Sequence, residues 1–276
     1  MKSIALLLAT LGLLSAAPQR IVSTAPSITE TLFAMGLGPR IVGVTVYCKF
    51  PPQAAKLPKV GTYLKPDVEA IVALHPDLVV VQQQPNHLGE ELGRLHIPYV
   101  EVQSQNLDSI YAGARAIGKA TDATAAAEAL VTNMQSHLQA LKKLVDGHRK
   151  PTAVFLVGHN PGSLTGLIAG SGSSYFSDLL DTAGGTNIFS DASTPYPKIS
   201  LEEVLARNPD VVLELSGESR PKQEEVISLW HHERSLKAVT TGRVYAIPSG
   251  VFLVPGPRAV EAATTLLHLL HPEIAQ

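Results

Sequence analysis

The sequence is short of cysteine, of aromatic residues, of excess charge and of long apolar runs beyond its first twenty residues. Cys48 is the only cysteine, which excludes an intramolecular disulfide. The formal net charge is −2, only 17% of residues are charged and no basic run occurs, so nothing indicates a nucleic-acid surface. Aromatic residues make up 5% of the 276 positions, so the places where they do occur are informative.

Residues 1–17 have the pattern of a secretory signal peptide: Lys2, an apolar stretch over 4–14, and the small residues Ser15-Ala16-Ala17. The stretch is too short for a typical transmembrane helix, and no other segment approaches the necessary length. Cys48 lies well past the expected cleavage point, so no lipid-accepting cysteine stands there. We expect a soluble exported protein that is not a lipoprotein, which favours the periplasm.

Two stretches 133 positions apart, 63–81 and 196–213, are nearly alike. Each has a tyrosine, an N-cap candidate four positions later (Asp67 or Ser200), a helical pattern that stops before a proline, and an apolar strand. Ser200 also has capping-box spacing to Glu203. A unit that occurs twice, once in each half, predicts two lobes with a cleft between them.

Glu69 and Glu202 occupy equivalent positions in the two copies, in the first turn of each predicted helix. A carboxylate at this place gains from the helix dipole, which is one explanation for both residues. The alternative is that two matched acids on matched surfaces bind a partner with two-fold symmetry.

Strand and helix patterns alternate along the rest of the chain, including a helix expected to open with a capping box over Ser27-Ile28-Thr29-Glu30. Residues 122–145 contain neither Gly nor Pro and have apolar residues three or four positions apart, which predicts one helix of about 24 residues. The predicted fold class is α/β, with two Rossmann-like lobes joined by a single long α-helix and a ligand cleft between the lobes. The predicted domains are a signal peptide (1–17), an N-terminal lobe (18–121), the interlobe helix (122–148) and a C-terminal lobe (149–276).

Aromatic residues stand in predicted loops after strands, where ligands collect in α/β lobes. They are Tyr47, Phe50, Tyr63, Tyr196 and Phe252. Each alone could simply cover the edge of the core, but together they would line one cleft. Such a cleft favours binding of a large, mainly apolar ligand.

Signals of catalysis are weak. His159 follows a strand in Gly158-His159-Asn160-Pro161-Gly162, where it could bind a metal or cofactor or simply form hydrogen bonds. The ten histidines lack zinc-site spacing, and Ser171 lacks the nucleophile-elbow pattern. We expect no enzyme activity, no metal site and no resident cofactor, while an exported hydrolase using Ser171 or His159 is the hypothesis from another class. The sequence leaves the reactivity of Cys48 open.

The chain resembles the substrate-binding proteins of ABC importers, in the class with a rigid interlobe helix that serves cobalamin, haem and ferric siderophores. Within this class the resemblance is greatest to the cobalamin binders. The matching segments cover nearly the whole mature chain, and they are 20–30, 51–54, 184–189, 257–258 and, most specifically, 195–207.

The resemblance implies that aromatic side chains from both lobes sandwich a corrin ring, with Tyr63 and Tyr196 standing where the family has tryptophan. By motif match those aromatics are Tyr47, Phe50, Tyr63, Tyr196 and Phe252. It also implies that Glu69 and Glu202 dock on arginines of a permease dimer, which would be the only contact with the membrane, and that the binding protein acts as a monomer. Cobalamin or another corrinoid would be the transported ligand.

His159 stands where the family has an apolar residue, which leaves an axial contact to cobalt or a different ligand open. Haem or a ferric siderophore is the alternative ligand in the same fold, with Tyr63, Tyr196 or His159 available to bind iron. Few basic residues stand near the candidate loops, which speaks against an anionic siderophore; they are Lys49, Lys65 and Lys198.

Overall fold

The N-terminal lobe is built on a four-stranded parallel sheet in the order β2-β1-β3-β4. The structure is a computed structural model that describes residues 17–84, 86–217 and 219–274; apart from Ala17, the predicted signal peptide lies outside them. The elements of this lobe are β1 (Ile21–Ser23), α1 (Pro26–Ala34), β2 (Ile41–Val44), α2 (Val68–Ala73), β3 (Leu78–Gln82), α3 (Leu88–Arg94), β4 (Tyr99–Val102) and α4 (Leu107–Ala120).

Helix α5 (Thr124–Leu144) carries the chain from one lobe to the other. It has 21 residues, a little shorter than predicted, because Asp122 has a positive φ of 54° and cannot continue a right-handed helix. Ala127 packs in the core of the N-terminal lobe, whereas Met134 and Leu138 pack in the core of the C-terminal lobe. The helix is therefore embedded in both lobes. Within the described residues, no helix combines the length and apolar character needed to cross a membrane.

The C-terminal lobe contains a six-stranded sheet in the order β10-β9-β5-β6-β8, with β7 paired to β5. Its elements are β5 (Thr152–Gly158), β6 (Leu167–Ala169), α6 (Tyr175–Thr182), β7 (Thr186–Asn187), β8 (Lys198–Ile199), α7 (Leu201–Arg207), β9 (Val211–Ser216), α8 (Arg220–Trp230), α9 (Lys237–Thr240), β10 (Val244–Pro248), α10 (Ser249–Phe252) and α11 (Ala259–Leu270). The prediction of a second Rossmann-like lobe holds for the parallel strands β5, β9 and β10. It is wrong for β6, which runs antiparallel to both β5 and β8.

The repeated unit forms the predicted local structure in both copies. The Asp67 side chain accepts a hydrogen bond from the Ala70 N–H at 2.9 Å, and the Ser200 side chain accepts one from the Glu203 N–H at 3.2 Å. The Glu203 carboxylate accepts in return from the Ser200 N–H at 2.7 Å, which completes the capping box. Both helices end before proline, and the prediction for the repeat is confirmed.

The capping box predicted at the start of α1 is wrong. The helix begins at Pro26, its N-cap is Ala25, and no side chain caps it. Proline at the first helical position has a preset φ and no N–H to satisfy, so it starts a helix without a cap. Ser27 and Glu30 lie inside the helix, and both are buried.

Candidate functional site

A cleft of about 1110 Å³ lies between the lobes. On the N-terminal side it is lined by residues that follow β1, β3 and β4, together with two loops at 47–50 and 62–64. On the C-terminal side it is lined by Tyr196 and by the segment 248–255 that follows β10. The carboxyl ends of parallel strands from both lobes therefore meet at the cleft, as ligand sites in α/β proteins do.

Tyr63 and Tyr196, equivalent in the repeat, line the cleft from opposite lobes. The Tyr63 hydroxyl accepts a hydrogen bond from the Gln84 amide, and the Tyr196 ring meets Phe176 edge-on at 6.1 Å between centroids. Burial raises the pKa of both phenols, and the neighbouring Tyr63 raises that of Tyr196 further. Both side chains are therefore neutral aromatic surfaces at neutral pH.

Tyr47 and Phe50 line the mouth of the cleft with 58% and 47% of their surface exposed. The loop that carries them is held by Cys48, whose fully buried sulfur lies 3.1 Å from the donating Thr29 hydroxyl and 3.2 Å from that of Thr45. The thiol of Cys48 is therefore inaccessible to solvent and serves to pack the loop. The loop thus presents two aromatic rings to solvent from a fixed base.

Phe252 lines the cleft, but its expected position in a loop is wrong. It ends the short helix α10, is only 3% exposed and packs 5.8 Å from Phe155 in the core. The next residue, Leu253, is 57% exposed and also lines the cleft, as does Leu64 beside Tyr63. These leucines follow predicted cleft aromatics directly in the sequence, a signal that could have identified them.

An ion pair joins the two lobes at the cleft. The Arg258 guanidinium donates to both carboxylate oxygens of Glu30, at 2.8 and 2.6 Å, and lies 4.4 Å from the centre of the Phe50 ring. Burial raises the pKa of Glu30 more than the hydrogen bonds from Arg258 lower it, while those bonds raise the pKa of Arg258. The pair connects α1 to the start of α11 and supports an aromatic residue of the mouth.

His159 is not among the residues that line the cleft. Its Nε2 lies 3.2 Å from the fully buried Glu214 carboxylate, which also accepts from the Trp230 indole at 2.6 Å. Burial raises the pKa of Glu214, although the bond from Trp230 and the charge of His159 oppose the rise. The structure therefore places His159 in a buried polar cluster of the C-terminal lobe rather than against a cleft ligand.

Ser171, the other residue considered for hydrolysis, is fully buried, and its hydroxyl lies 3.2 Å from that of Ser173. It does not line the cleft. The structure does not bring Ser171 and His159 into contact with each other, so they form no catalytic pair.

Glu69 and Glu202 are exposed in the first turns of α2 and α7. Neither carboxylate forms a hydrogen bond or ion pair with any residue that the structure describes, whereas Glu203 next to Glu202 closes the capping box. Capping therefore accounts for Glu203 and leaves the two matched glutamates free for an external contact.

The polar wall of the cleft was not identified from the sequence. It consists of Gln82-Gln83-Gln84, which begins with the last residue of β3, and Gln103-Ser104-Gln105, which directly follows β4. The strand of the first repeat, β3, was predicted, so the glutamines at its carboxyl end were an available signal.

A family model described as "Periplasmic binding protein" matches residues 21–251. A vitamin B12-binding protein of Pectobacterium carotovorum subsp. carotovorum (strain PC1) is 30% identical over 252 residues, which cover 90% of this chain and 87% of that protein. The solved structure of the periplasmic vitamin B12 binding protein BtuF of Vibrio cholerae has a TM-score of 0.78 and 26% identity over 94% of this chain and 99% of that chain. The structure of S. aureus IsdE complexed with heme has a TM-score of 0.75 and 25% identity over 91% and 98%. The chain belongs to the periplasmic binding protein family.

Proposed function

We propose that this protein captures cobalamin or a related corrinoid in the periplasm and delivers it to an ABC importer. The observation that carries the proposal is the pair Tyr63 and Tyr196, two neutral aromatic side chains that line one large cleft from opposite lobes. Such a pair suits a broad, flat ligand that is held by stacking and apolar contact. The similarity to vitamin B12-binding proteins over most of the chain supports the same ligand class.

The charges of the cleft fit a ligand without strong net charge. Its described lining contains two acidic and two basic residues, Glu30, Glu261, Lys49 and Arg258, and one acid is bonded to one base. An anionic ferric siderophore would call for an excess of cations. The balance of charge therefore favours a corrinoid over a siderophore.

Haem is the second candidate, because Tyr63 and Tyr196 offer phenol oxygens in the cleft and a haem-bound relative shares the fold. Tyrosine binds iron as phenolate. Since burial raises the pKa of both phenols, ligation would have to overcome an increased cost of deprotonation.

Titration of the purified mature protein with cyanocobalamin and with haemin, followed by calorimetry and absorption, tests the ligand. We expect saturable 1:1 binding of cyanocobalamin and much weaker binding of haemin. Tight haemin binding with an iron–phenolate absorption band, and no binding of cyanocobalamin, would establish the second candidate instead.

Export by the signal peptide 1–17, without lipid attachment, would place the mature chain in the periplasm as a soluble monomer. Mass spectrometry of the periplasmic protein tests the removal of the signal peptide and the absence of lipid through the mass of its N-terminal peptide. A diacylglycerol-modified N-terminus would contradict the proposal.

For delivery we propose that Glu69 and Glu202 each meet an arginine cluster on one half of a permease dimer. Both carboxylates are exposed and unpaired within the described part of the chain, and the repeat gives them equivalent places in the two lobes. Two equivalent acids match the symmetry of a dimeric partner. Each exposed contact is worth only about 1 kcal/mol, so reversing the charge should act more strongly than truncation.

The variant Glu69→Arg/Glu202→Arg should bind cyanocobalamin like the parent but fail to stimulate the ATPase of the importer in reconstituted vesicles. The matched control is Glu91→Arg/Glu225→Arg, which reverses one exposed helical glutamate in each lobe. Equal stimulation by the first variant and the parent would assign both glutamates to helix-start electrostatics.

A further inference from the structure

Two segments of three polar residues each form one wall of the cleft, which we call the glutamine wall. They are Gln82-Gln83-Gln84 and Gln103-Ser104-Gln105. The two segments leave β3 and β4, which are neighbours in the sheet, at the same edge. Five of the six side chains are primary amides, each with both a donor and an acceptor. Amides in this number give the wall strong hydrogen-bonding capacity and no charge.

The wall is organised by contacts of its own. The Gln103 side-chain amide donates to the side-chain oxygen Oε1 of Gln83, which joins the two segments. The Gln84 amide donates to the Tyr63 hydroxyl, which joins the wall to a cleft aromatic. Each contact uses one half of an amide, so hydrogen-bonding groups of the opposite sense are left on Gln83, Gln84 and Gln103. A ligand therefore meets amides that are already positioned.

Gln82 shows most directly what the wall lacks. It is only 7% exposed, and its buried Oε1 has no hydrogen-bond partner in the described part of the chain. Its backbone N–H donates to the Thr24 hydroxyl, which fixes the residue at the end of β3. A buried acceptor without a donor is costly, so this oxygen is poised for an N–H group brought by a ligand.

We propose that the glutamine wall recognises carboxamide groups on the rim of the ligand and thereby selects corrinoids against porphyrin dicarboxylates. This inference rests on the proposed function and specifies it further. The rim of a cobalamin carries primary carboxamides, whose N–H groups can donate to Gln82 and whose oxygens can accept from Gln83. A haem propionate is ionised at neutral pH and has no proton to donate. Placed at the wall it would leave the Gln82 oxygen unpaired and face it with a negative charge.

The variant Gln82→Met tests the wall because it keeps the side-chain length and removes both amide groups. We expect the unliganded variant to be at least as stable to heat as the parent, since a buried unpaired acceptor is gone. The dissociation constant for cyanocobalamin should rise about 10-fold, as expected for loss of a hydrogen bond to a buried group. The constant for haemin should not rise, so the ratio of the two shifts against the corrinoid. The exposed Gln139→Met in α5 is the matched control.

Ligand chemistry provides the second arm. Cobinamide keeps the rim carboxamides, whereas cobyrinic acid has carboxylates in their place. We expect the parent to bind cobinamide and to bind cobyrinic acid at least 10-fold more weakly, a difference that Gln82→Met should reduce. If Gln82→Met does not fold, Gln103→Met at an exposed position replaces it.

Equal affinity of the parent for cobinamide and cobyrinic acid would overturn the inference while leaving corrinoid binding intact. Equal weakening of cyanocobalamin and haemin by Gln82→Met would also overturn it, because it would show a role in packing alone. Absence of corrinoid binding by the parent would overturn the proposed function and the inference with it.

Discussion

The two copies of the repeat use the same aspartate in the same way but in different surroundings. Asp77 accepts from the backbone N–H groups of Gln19 and Arg20, at 2.7 and 2.8 Å, just before β1. Asp210, its equivalent, accepts from the backbone N–H of Thr152 at 2.9 Å, at the start of β5. Each aspartate thus ties the start of its own strand to the first strand of its lobe.

Burial separates the two. Asp77 is exposed, whereas Asp210 is 4% exposed and lies 2.6 Å from both the Lys237 and the Arg149 nitrogens. Burial by itself would raise the pKa of Asp210, but hydrogen bonds from Lys237, Thr152 and Arg149 outweigh it and hold that pKa well below its ordinary value. The duplicated sequence therefore repeats the hydrogen bonds from an aspartate to the backbone. Their contribution to stability differs between the copies, because neighbouring elements bury Asp210 and leave Asp77 exposed.

The largest effect should come from Tyr63 and Tyr196, the pair of equivalent repeat positions that lines the cleft. Replacing both by Ala should weaken cyanocobalamin binding by about 2–4 kcal/mol, because two aromatic anchors are truncated. Each single variant should lose about half of that, and calorimetric titration measures all three. Tyr63→Phe, which keeps the ring, is the control for stacking. Unchanged affinity in the double variant would remove both rings from the site.

The second largest effect should be the difference in stability between variants of the two aspartates. Asp210→Asn should lower the free energy of unfolding at pH 7 by about 1–3 kcal/mol, because it weakens a buried charge-assisted network. Asp77→Asn should lower it by less than about 1 kcal/mol, since its partners are exposed to water. Urea denaturation of both variants measures the difference. Equal losses would mean that the shared backbone bonds, and not burial, set the energy.

Asp210 should also make the stability of the folded protein depend on pH. A carboxyl whose pKa is lowered in the folded state stabilises the protein above its unfolded pKa, here near 3.8, and that contribution is lost as the pH falls below it. The parent should therefore lose stability below about pH 4, and Asp210→Asn should lose less over the same interval. Parallel stability curves for the two proteins would contradict the assignment.

The smallest effect concerns the residue before each proline. His75 and Asn208 both have a positive φ, 45° and 42°, because each closes the end of a helix, where the chain commonly adopts a left-handed conformation. Asn tolerates this conformation better than most side chains. His75→Asn, which makes the first copy match the second, should stabilise the protein by about 0.5 kcal/mol or less in thermal unfolding. Destabilisation would show that the His75 ring contributes contacts of its own.

Local features of the fold could be read from the sequence because their causes are local. The caps at Asp67 and Ser200 and the stops before Pro76 and Pro209 depend on neighbours within a few residues, and all four are found. The predicted capping box at the start of α1 was wrong because two helix-start signals lie at one place. The helix begins at Pro26 and not at the capping pattern of Ser27 to Glu30.

Features that join distant segments could not be predicted. Glu30 and Arg258 are 228 positions apart, and no local sequence pattern near either residue indicates that the two form a pair. The antiparallel strand β6 depends on how a glycine-rich segment returns along β5, and the burial of Phe252 at the end of α10 depends on Phe155 in β5. In the site, the loop aromatics were predicted as a group, whereas the glutamine wall required knowledge that β3 and β4 are neighbours.

The bond between Glu30 and Arg258 also has a consequence for the relative motion of the two lobes. Separating the lobes at this point would break two charge-assisted hydrogen bonds and the contact of the Arg258 guanidinium with the Phe50 ring. The ion pair therefore holds the two lobes together at the cleft, while the exposed rings of Tyr47 and Phe50 mark where the cleft opens to solvent without separation of the lobes.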